Sequence, residues 1–248
     1  MNKIAAIVLA GGEGKRMKSE NVNKVILSLA NKPMILYTIN LLESLKISPI
    51  IVVVGFAKKS VIDVLGDRVI YVEQKKRLGT AHAVNYAIKK VAQDVSCVLV
   101  LHGDDSAFYT KEIISELVKT HIEKNASLTF LTIELDMPSG LGRVIRDNYG
   151  KVLAIVEDRD ASSKQKKIKE INPACYIFHL GFLHKYLGKV WKSKISGEYY
   201  LTSLIDIAVK NNEKIETLRG GKLPWRGINT IDELKEAKRL FLSKNYHE

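Results

Sequence analysis

The chain has 248 residues, with 39 Lys+Arg against 27 Asp+Glu for a formal charge of +12, and is 46% hydrophobic and 27% charged. That composition excludes collagen-like repeats, low-complexity sequence and an acidic disordered tail, and a chain of this length buries roughly 70–75% of its unfolded surface, enough for a core without disulfide or metal staples. The basic surplus is 30 Lys against 9 Arg, which reads as a solvated surface compatible with an anionic substrate rather than as arginine-led recognition of nucleic acid.

A first buried strand is expected at residues 3–9: the apolar run Ile4 to Ala10 is preceded by a single lysine and followed at once by glycines, unlike a secretory signal. Further strands are expected at residues 49–54, 69–72, 97–101 and 127–133. Helices are expected at 33–44, 58–65, 80–91 and 111–119, with Pro33 suited to a first helical turn. This alternation predicts an α/β fold with helices on both faces of a sheet. After Gly140 the pattern changes. Residues 143–146 and 152–156 flank Asp147-Asn148-Tyr149-Gly150 as a hairpin, and the Lys-rich run 164–169 reads as a loop. A strand at 176–178, helices at 183–191 and 201–209, a strand at 215–218 and a terminal helix at 231–242 follow. The second half is expected to decorate the first. No linker divides them, so the expectation is a single domain over 1–248 with lobes of about 1–135 and 136–230 and a terminal helix at about 231–243.

Cys97 and Cys175 lie 78 residues apart in apolar runs, without a CxxC pair or a histidine at metal-ligand spacing. Buried, reduced thiols in a reducing, cytoplasmic setting are expected. No apolar stretch reaches the ~18 residues of a membrane span.

Directly after the first strand comes Leu9-Ala10-Gly11-Gly12-Glu13-Gly14-Lys15-Arg16-Met17. Glycines let backbone N–H groups approach oxygens and the two cations neutralise them, so this loop suits a phosphate cradle; a glycine-rich turn with exposed charges is the alternative. It is neither a Walker A loop, which needs Ser or Thr at Arg16, nor a dinucleotide fingerprint, which needs glycine at Met17.

The stretch from Leu9 to Met34 resembles the signature of the sugar-1-phosphate nucleotidyltransferases, L-A-[AG]-G-x-G-T-R-[ML] followed by P-K and x-K-P. Other segments match the same family in order: Gln74 with Leu78-Gly79-Thr80-Ala81-His82-Ala83, Gly103-Asp104, Gly142-Arg143-Val144, Ile155-Val156-Glu157, Glu170-Ile171-Asn172, Gly197-Glu198-Tyr199-Tyr200-Leu201-Thr202 and Gly227-Ile228-Asn229. Within the family, G-T-x-H-A, V-E-x-x-D-A and G-E-Y-Y-L-T together most resemble the pyrophosphorylase (uridylyltransferase) domain of the bifunctional bacterial UDP-N-acetylglucosamine pyrophosphorylase/glucosamine-1-phosphate acetyltransferases.

The resemblance implies a Rossmann-like three-layer fold with a mixed, mostly parallel sheet. It implies that Arg16 and Lys24 act on the triphosphate, and that Leu9, Ala10, Gly11, Gly12, Gly14, Lys15, Gln74, Gly79 and Thr80 bind the nucleotide. Gly142, Glu157, Asn172 and Thr202 are implied to bind the sugar, and Asp104 with Asn229 to hold Mg²⁺. Read without it, Asp104 or Asp105 could cap a turn, Gly79-Thr80 could simply start a helix and Glu157 could be a hydrogen-bonded core carboxylate. His82 is expected to pack or donate one hydrogen bond rather than act as a base. UTP and a sugar 1-phosphate are the expected partners, with neither nucleic acid nor membrane.

Three departures stand out: Lys15 for the family's Thr, Asn23 for the Pro of P-K, and Asn172-Pro173-Ala174 for N-T-G. No hexapeptide repeat follows residue 231, so acetyl transfer is not expected. The Ala10-Gly11-Gly12 form also fits enzymes acting on glucose 1-phosphate with UTP or dTTP, and a nucleotide-binding relative without turnover is the remaining alternative.

Overall fold

The computed structural model describes residues 3–14, 17 and 22–243. In chain order the elements are β1 (Ile4–Ala10), a small hairpin of β2 (Ser28–Leu29) and β3 (Lys32–Pro33), α1 (Met34–Ser44), β4 (Ile50–Val54), α2 (Lys58–Leu65), β5 (Ile70–Glu73), α3 (Thr80–Ala87), β6 (Cys97–His102), α4 (Lys111–Glu123) and β7 (Leu128–Glu134). Then come β8 (Gly142–Arg146), β9 (Val152–Val156), β10 (Glu170–Asn172), β11 (Tyr176–His179), α5 (Leu180–Tyr186), α6 (Ser203–Lys210), β12 (Ile215–Arg219) and α7 (Ile231–Ser243).

One sheet runs β5-β4-β1-β6-β11-β7-β10-β8-β9, with β12 paired to β7. Pairing among β5, β4, β1 and β6 is parallel, as is β12 on β7. Only β9, β10 and β11 run against the other strands. The sheet is therefore mixed, with most strands pointing one way. Its second half is not decoration: β11 inserts between β6 and β7 and carries the sheet across from the first half of the chain.

Strand alternation sends β1 to two cores. Ala6 and Val8 pack with α1, α2, α4 and α7, while Ala5 and Ile7 pack with α3, α5 and α6. Both faces are thus covered, which is why β1 and β4 read as continuous apolar runs. Cys97 and Cys175 are buried and free, and burial pushes the Cys97 thiol up to about 11. Among the described residues no helix is long and apolar enough to cross a membrane.

The differences from the sequence expectations are local. Pro33 caps α1 instead of entering its first turn. α3 gives way at Ala87 to a 3₁₀ turn, Ile88–Lys90, while α4 continues to Glu123. α5 starts three residues earlier than expected because the His179 side chain accepts the Gly181 amide, and Trp191 lies outside it. β10, three residues long, was not expected as a strand.

Candidate active site

The loops after β1, β4, β5 and β6 leave the same carboxyl edge of parallel strands, where open α/β sheets bind ligands. Those after β1, β5 and β6 open into a cleft of about 1100 Å³, and the one after β4 packs behind the glycine loop. Every expected site residue that the structure describes lines it: Leu9, Ala10, Gly11, Gly12, Gly14, Lys24, Gln74, Gly79 and Thr80 from the first half, Asp104 beyond β6, and Gly142, Glu157, Asn172, Thr202 and Asn229 from the second. Lys15 and Arg16 lie outside the described residues.

The glycine loop is packed main chain to main chain. A Cβ on Gly55 would stand 2.6 Å from the Gly11 carbonyl oxygen, and one on Gly11 would stand 3.3 Å from Gln74 Oε1. Gly14 takes a positive φ of 58° and lies against the stem of Lys24, whereas Gly12 has open space where a side chain would go. Asn23, which the sequence reading treated only as a lost proline, is fully buried. Its amide donates to the carbonyls of Ala10 (2.9 Å), Phe56 (2.8 Å) and Gly12 (3.3 Å).

Gln74 is buried, donating to the Gly79 carbonyl at 3.1 Å and to His82 Nδ1 at 2.8 Å. An amide nitrogen can only donate, so His82 accepts here, and burial lowers its pKa, which favours that neutral form. Gly79 has φ 107°, and a Cβ there would meet the Tyr199 oxygen at 2.5 Å and nitrogen at 2.7 Å. Around it the start of α3 is zipped to the Tyr199-Tyr200-Leu201 segment. Tyr199 N–H donates to the Leu78 carbonyl, Ala81 N–H donates to the Tyr199 carbonyl, and Thr80 Oγ1 accepts the Leu201 amide at 2.8 Å. One lone pair of Thr80 Oγ1 is therefore used within the protein, which leaves its hydroxyl proton and a second lone pair.

Lys24 joins the groups expected to hold a cation. Its ammonium forms an ion pair with Asp104 and donates to Asn229 Oδ1 (3.2 Å) and to the Ile228 carbonyl (3.3 Å). Asp104 and Asn229 thus present hard oxygens to one positive charge, a donor set that fits a divalent ion of the Mg²⁺ type. His102 and Asp105 are close by, their ligand atoms lying with that of Asp104 within 4.8 Å of one another. Burial depresses the His102 pKa, with Lys24 adding to the effect and Asp104 opposing it.

The opposite wall is made of side-chain pairs. Thr202 Oγ1 donates to Glu157 Oε1 at 2.8 Å, yet burial still raises the Glu157 carboxyl above its ordinary value. Gly142 leaves room beside it, since a Cβ there would stand 3.7 Å from Glu157 Oε2 and 3.0 Å from Ile155. Asn172 is buried, donates to the Tyr176 hydroxyl and accepts the Ala174 amide at 2.7 Å. Tyr109 donates to the Pro173 carbonyl at 2.7 Å. Ala174, in the position of the family's glycine, sits at φ 58°. Buried Arg143 holds Asp158 at 3.0 Å under the same wall. That pair and Asn23 escaped the sequence reading. The only signal for Asn23 was its place in the family's proline position, and Arg143 offered none beyond its own motif.

The profile of the nucleotidyl transferase family matches residues 5–244 of the chain. The chain belongs to that family. Among curated relatives it is 37% identical to the bifunctional protein GlmU of Thermoanaerobacter pseudethanolicus, over 99% of this chain and 53% of that protein. It is 42% identical to GlmU of Caldicellulosiruptor saccharolyticus, over 96% and 51%, and 37% identical to GlmU of Desulfotalea psychrophila, over 95% and 70%. The chain spans about half the length of the first two relatives. A crystal structure of a Bacillus anthracis protein assigned as a glucose-1-phosphate thymidylyltransferase superposes with a TM-score of 0.80 over 99% of this chain and 98% of that one, at 21% identity. That likeness supports the fold. As a member of the nucleotidyl transferase family the chain is an enzyme, and the cleft is its candidate active site.

Proposed function

We propose that this nucleotidyltransferase transfers a uridylyl group from UTP to N-acetylglucosamine 1-phosphate, releasing pyrophosphate. The observation that carries the reading is a single cleft lined both by the glycine loop, Gln74, Gly79 and Lys24 and by Glu157, Thr202 and Asn172. The acceptor follows from the matches around Glu157 and Thr202 to the GlmU-type segments, and the similarity to GlmU proteins supports it.

In this reading a phosphate oxygen of the sugar attacks the α-phosphorus of UTP in line. The protein contributes position and charge rather than a covalent intermediate. The loop from Leu9 to Gly14 offers main-chain N–H groups to the triphosphate, and Lys24 with Lys15 and Arg16 spreads the developing negative charge. Gln74, Gly79 and Thr80 face the base and ribose. Glu157 and Thr202 hold the sugar hydroxyls, while Asn172 and Gly142 shape the floor. Asp104 and Asn229 would hold Mg²⁺, which when bound supplies charge neutralisation at the phosphates.

A second reading, transfer of UMP or dTMP to glucose 1-phosphate, is favoured by Gly11-Gly12 and by Ala174, whose methyl and strained backbone alter the floor where the family has glycine. Pyrophosphate release measured with four nucleotides against glucose, N-acetylglucosamine, glucosamine and mannose 1-phosphates separates them. UTP with N-acetylglucosamine 1-phosphate as the best pair is the expected result. A preference for glucose 1-phosphate overturns the acceptor assignment, and no release with any pair overturns the reading as a whole.

A further inference from the structure

We propose that Asn23 is a positioning residue that fixes the glycine-rich loop and Lys24 in the mutual arrangement that receives the triphosphate; this rests on the reading of that loop as the phosphate cradle. Three carbonyls from three parts of the chain converge on its side-chain amide: Ala10 at the end of β1, Gly12 in the loop and Phe56 in the β4–α2 connection. The amide has two protons for three acceptors, so one is shared. The other side-chain atom, Oδ1, accepts the Val25 amide at 3.1 Å and caps the 3₁₀ turn Lys24–Ile26 that carries Lys24. The Asn23 backbone N–H donates to Ser60 Oγ at 3.0 Å, and Ser60 in turn donates to the Ala57 carbonyl at 2.7 Å. With no exposed surface, the residue has no solvent to replace any of these bonds.

The consequence for the loop follows from peptide geometry. A trans peptide carries its N–H opposite its C=O, so anchoring the carbonyls of Ala10 and Gly12 on Asn23 turns the N–H groups of Gly11 and Glu13 away from it. Both of those residues line the cleft. The same side chain sets the loop against Lys24, because a Cβ on Gly14 would stand 3.2 Å from the Lys24 Cβ. Where the family pattern has proline, rigidity comes from the ring; here φ −71° and ψ 142° are values proline itself adopts, and the constraint comes from hydrogen bonds instead.

The test is Asn23→Ala and Asn23→Pro, each with its melting temperature, its KM for both substrates and calorimetric binding of the nucleoside triphosphate. Asn23→Ala should raise the KM and Kd for the nucleotide about ten-fold, the size of one to two lost hydrogen bonds, and leave the KM for the sugar phosphate within two-fold. Asn23→Pro should fall between Asn23→Ala and wild type, because it restores the rigid turn without the staple. Unchanged nucleotide affinity in a folded variant overturns the proposal, as does a parallel rise in both KM values. If Asn23→Ala does not fold, Asn23→Pro decides by the same split. A wild type that binds nucleotide but releases no pyrophosphate would sink the proposed reaction and leave Asn23 to be judged on Kd alone.

Discussion

On the cleft wall that carries the glycine loop and the start of α3, the shaping atoms are main-chain atoms brought together by glycine: Gly11 is backed by Gly55, and Gly79 by Tyr199 from the second half of the chain. On the wall formed by the second half they are side chains in pairs, Glu157 with Thr202, Asn172 with Tyr176 and Arg143 with Asp158. The charge balance differs as well. Among the described residues, Lys24, Lys75, Lys76 and Arg77 stand against Glu13, Asp104 and Asp105 on the first wall, whereas Glu157, Asp158 and Glu198 stand against Arg159 on the second. A main-chain wall changes only when backbone moves, so it suits the part of a substrate that stays the same. Paired side chains can be retuned one substitution at a time, which is how a fixed nucleotidyl transfer can be turned toward different acceptors.

The largest expected effect lies on the first wall's edge, where Asp104 pairs with Lys24. Asp104→Ala should lower kcat by ~10²–10³, the loss seen when one electrostatic stabiliser is taken from a closed site, and Asp105→Ala should cost far less. Equal losses, or full activity in the presence of a chelator, would remove Asp104 and Asn229 from the metal assignment. Next comes Gly79→Ala. Its methyl would press on the Tyr199 main chain at 2.5 Å and its φ of 107° is foreign to alanine, so a loss of about 2–4 kcal/mol in stability or a misplaced α3 with a raised nucleotide KM is expected. Gly12→Ala, with nothing within 4 Å, is the control and should leave the melting temperature unchanged. If both alanines were tolerated alike, the main-chain character of this wall would be refuted.

On the second wall Glu157→Gln separates binding from stability. Burial raises the Glu157 pKa, so the folded protein holds that proton to higher pH than the unfolded chain does. Stability contributed by the protonated form is complete below the ordinary carboxylate pKa and is lost as pH rises through the folded value. Glutamine carries no such term, so Glu157→Gln should melt higher than wild type at pH 8 and together with it at pH 4. Its KM for the sugar phosphate should nevertheless rise about ten-fold, as for a weakened charged hydrogen bond. A lower melting temperature at pH 8 would show that the carboxylate is stabilised by its site.

The two walls were also unequally legible in the sequence. Parallel strands joined by helices announce themselves as apolar runs alternating with amphipathic ones, and β1, β4, β5, β6, α1 and α2 lie within a residue or so of their expected bounds. The second half's strands are short, and nothing in a run such as Tyr176–His179 records that it pairs between β6 and β7. In the site, the resemblance to the family's glycine-bearing motifs is what named Gly11, Gly14 and Gly79, and two of them do pack main chain to main chain, Gly11 with Gly55 and Gly79 with Tyr199. Hydrogen-bond roles leave no such mark. Asn23 looks like any turn asparagine until three carbonyls are seen around it, and nothing in the sequence records that Thr80 Oγ1 accepts the Leu201 amide.

The smallest effect is expected at Ala174, and it decides between the acceptors. Its φ of 58° costs a residue with a Cβ about 1–2 kcal/mol relative to glycine, part of which is offset because glycine loses more freedom on folding, by roughly 0.5–1 kcal/mol. Ala174→Gly should therefore be neutral to stabilising by about 1 kcal/mol. The conformation itself should persist, since Asn172 Oδ1 holds the Ala174 amide and Tyr109 holds the Pro173 carbonyl. What changes is the floor of the cleft, which both residues line: one methyl is removed, and Pro173→Thr adds a main-chain donor beside it. If the pocket is built for N-acetylglucosamine 1-phosphate, the double variant Pro173→Thr with Ala174→Gly should lower the KM for that substrate and leave the KM for UTP unchanged, because the first wall is untouched. A double variant that binds it more weakly, and glucose 1-phosphate no worse than wild type does, would mean that proline and alanine adapt the floor to the smaller acceptor. The side-chain wall would then be specific for glucose 1-phosphate on an unaltered nucleotide wall.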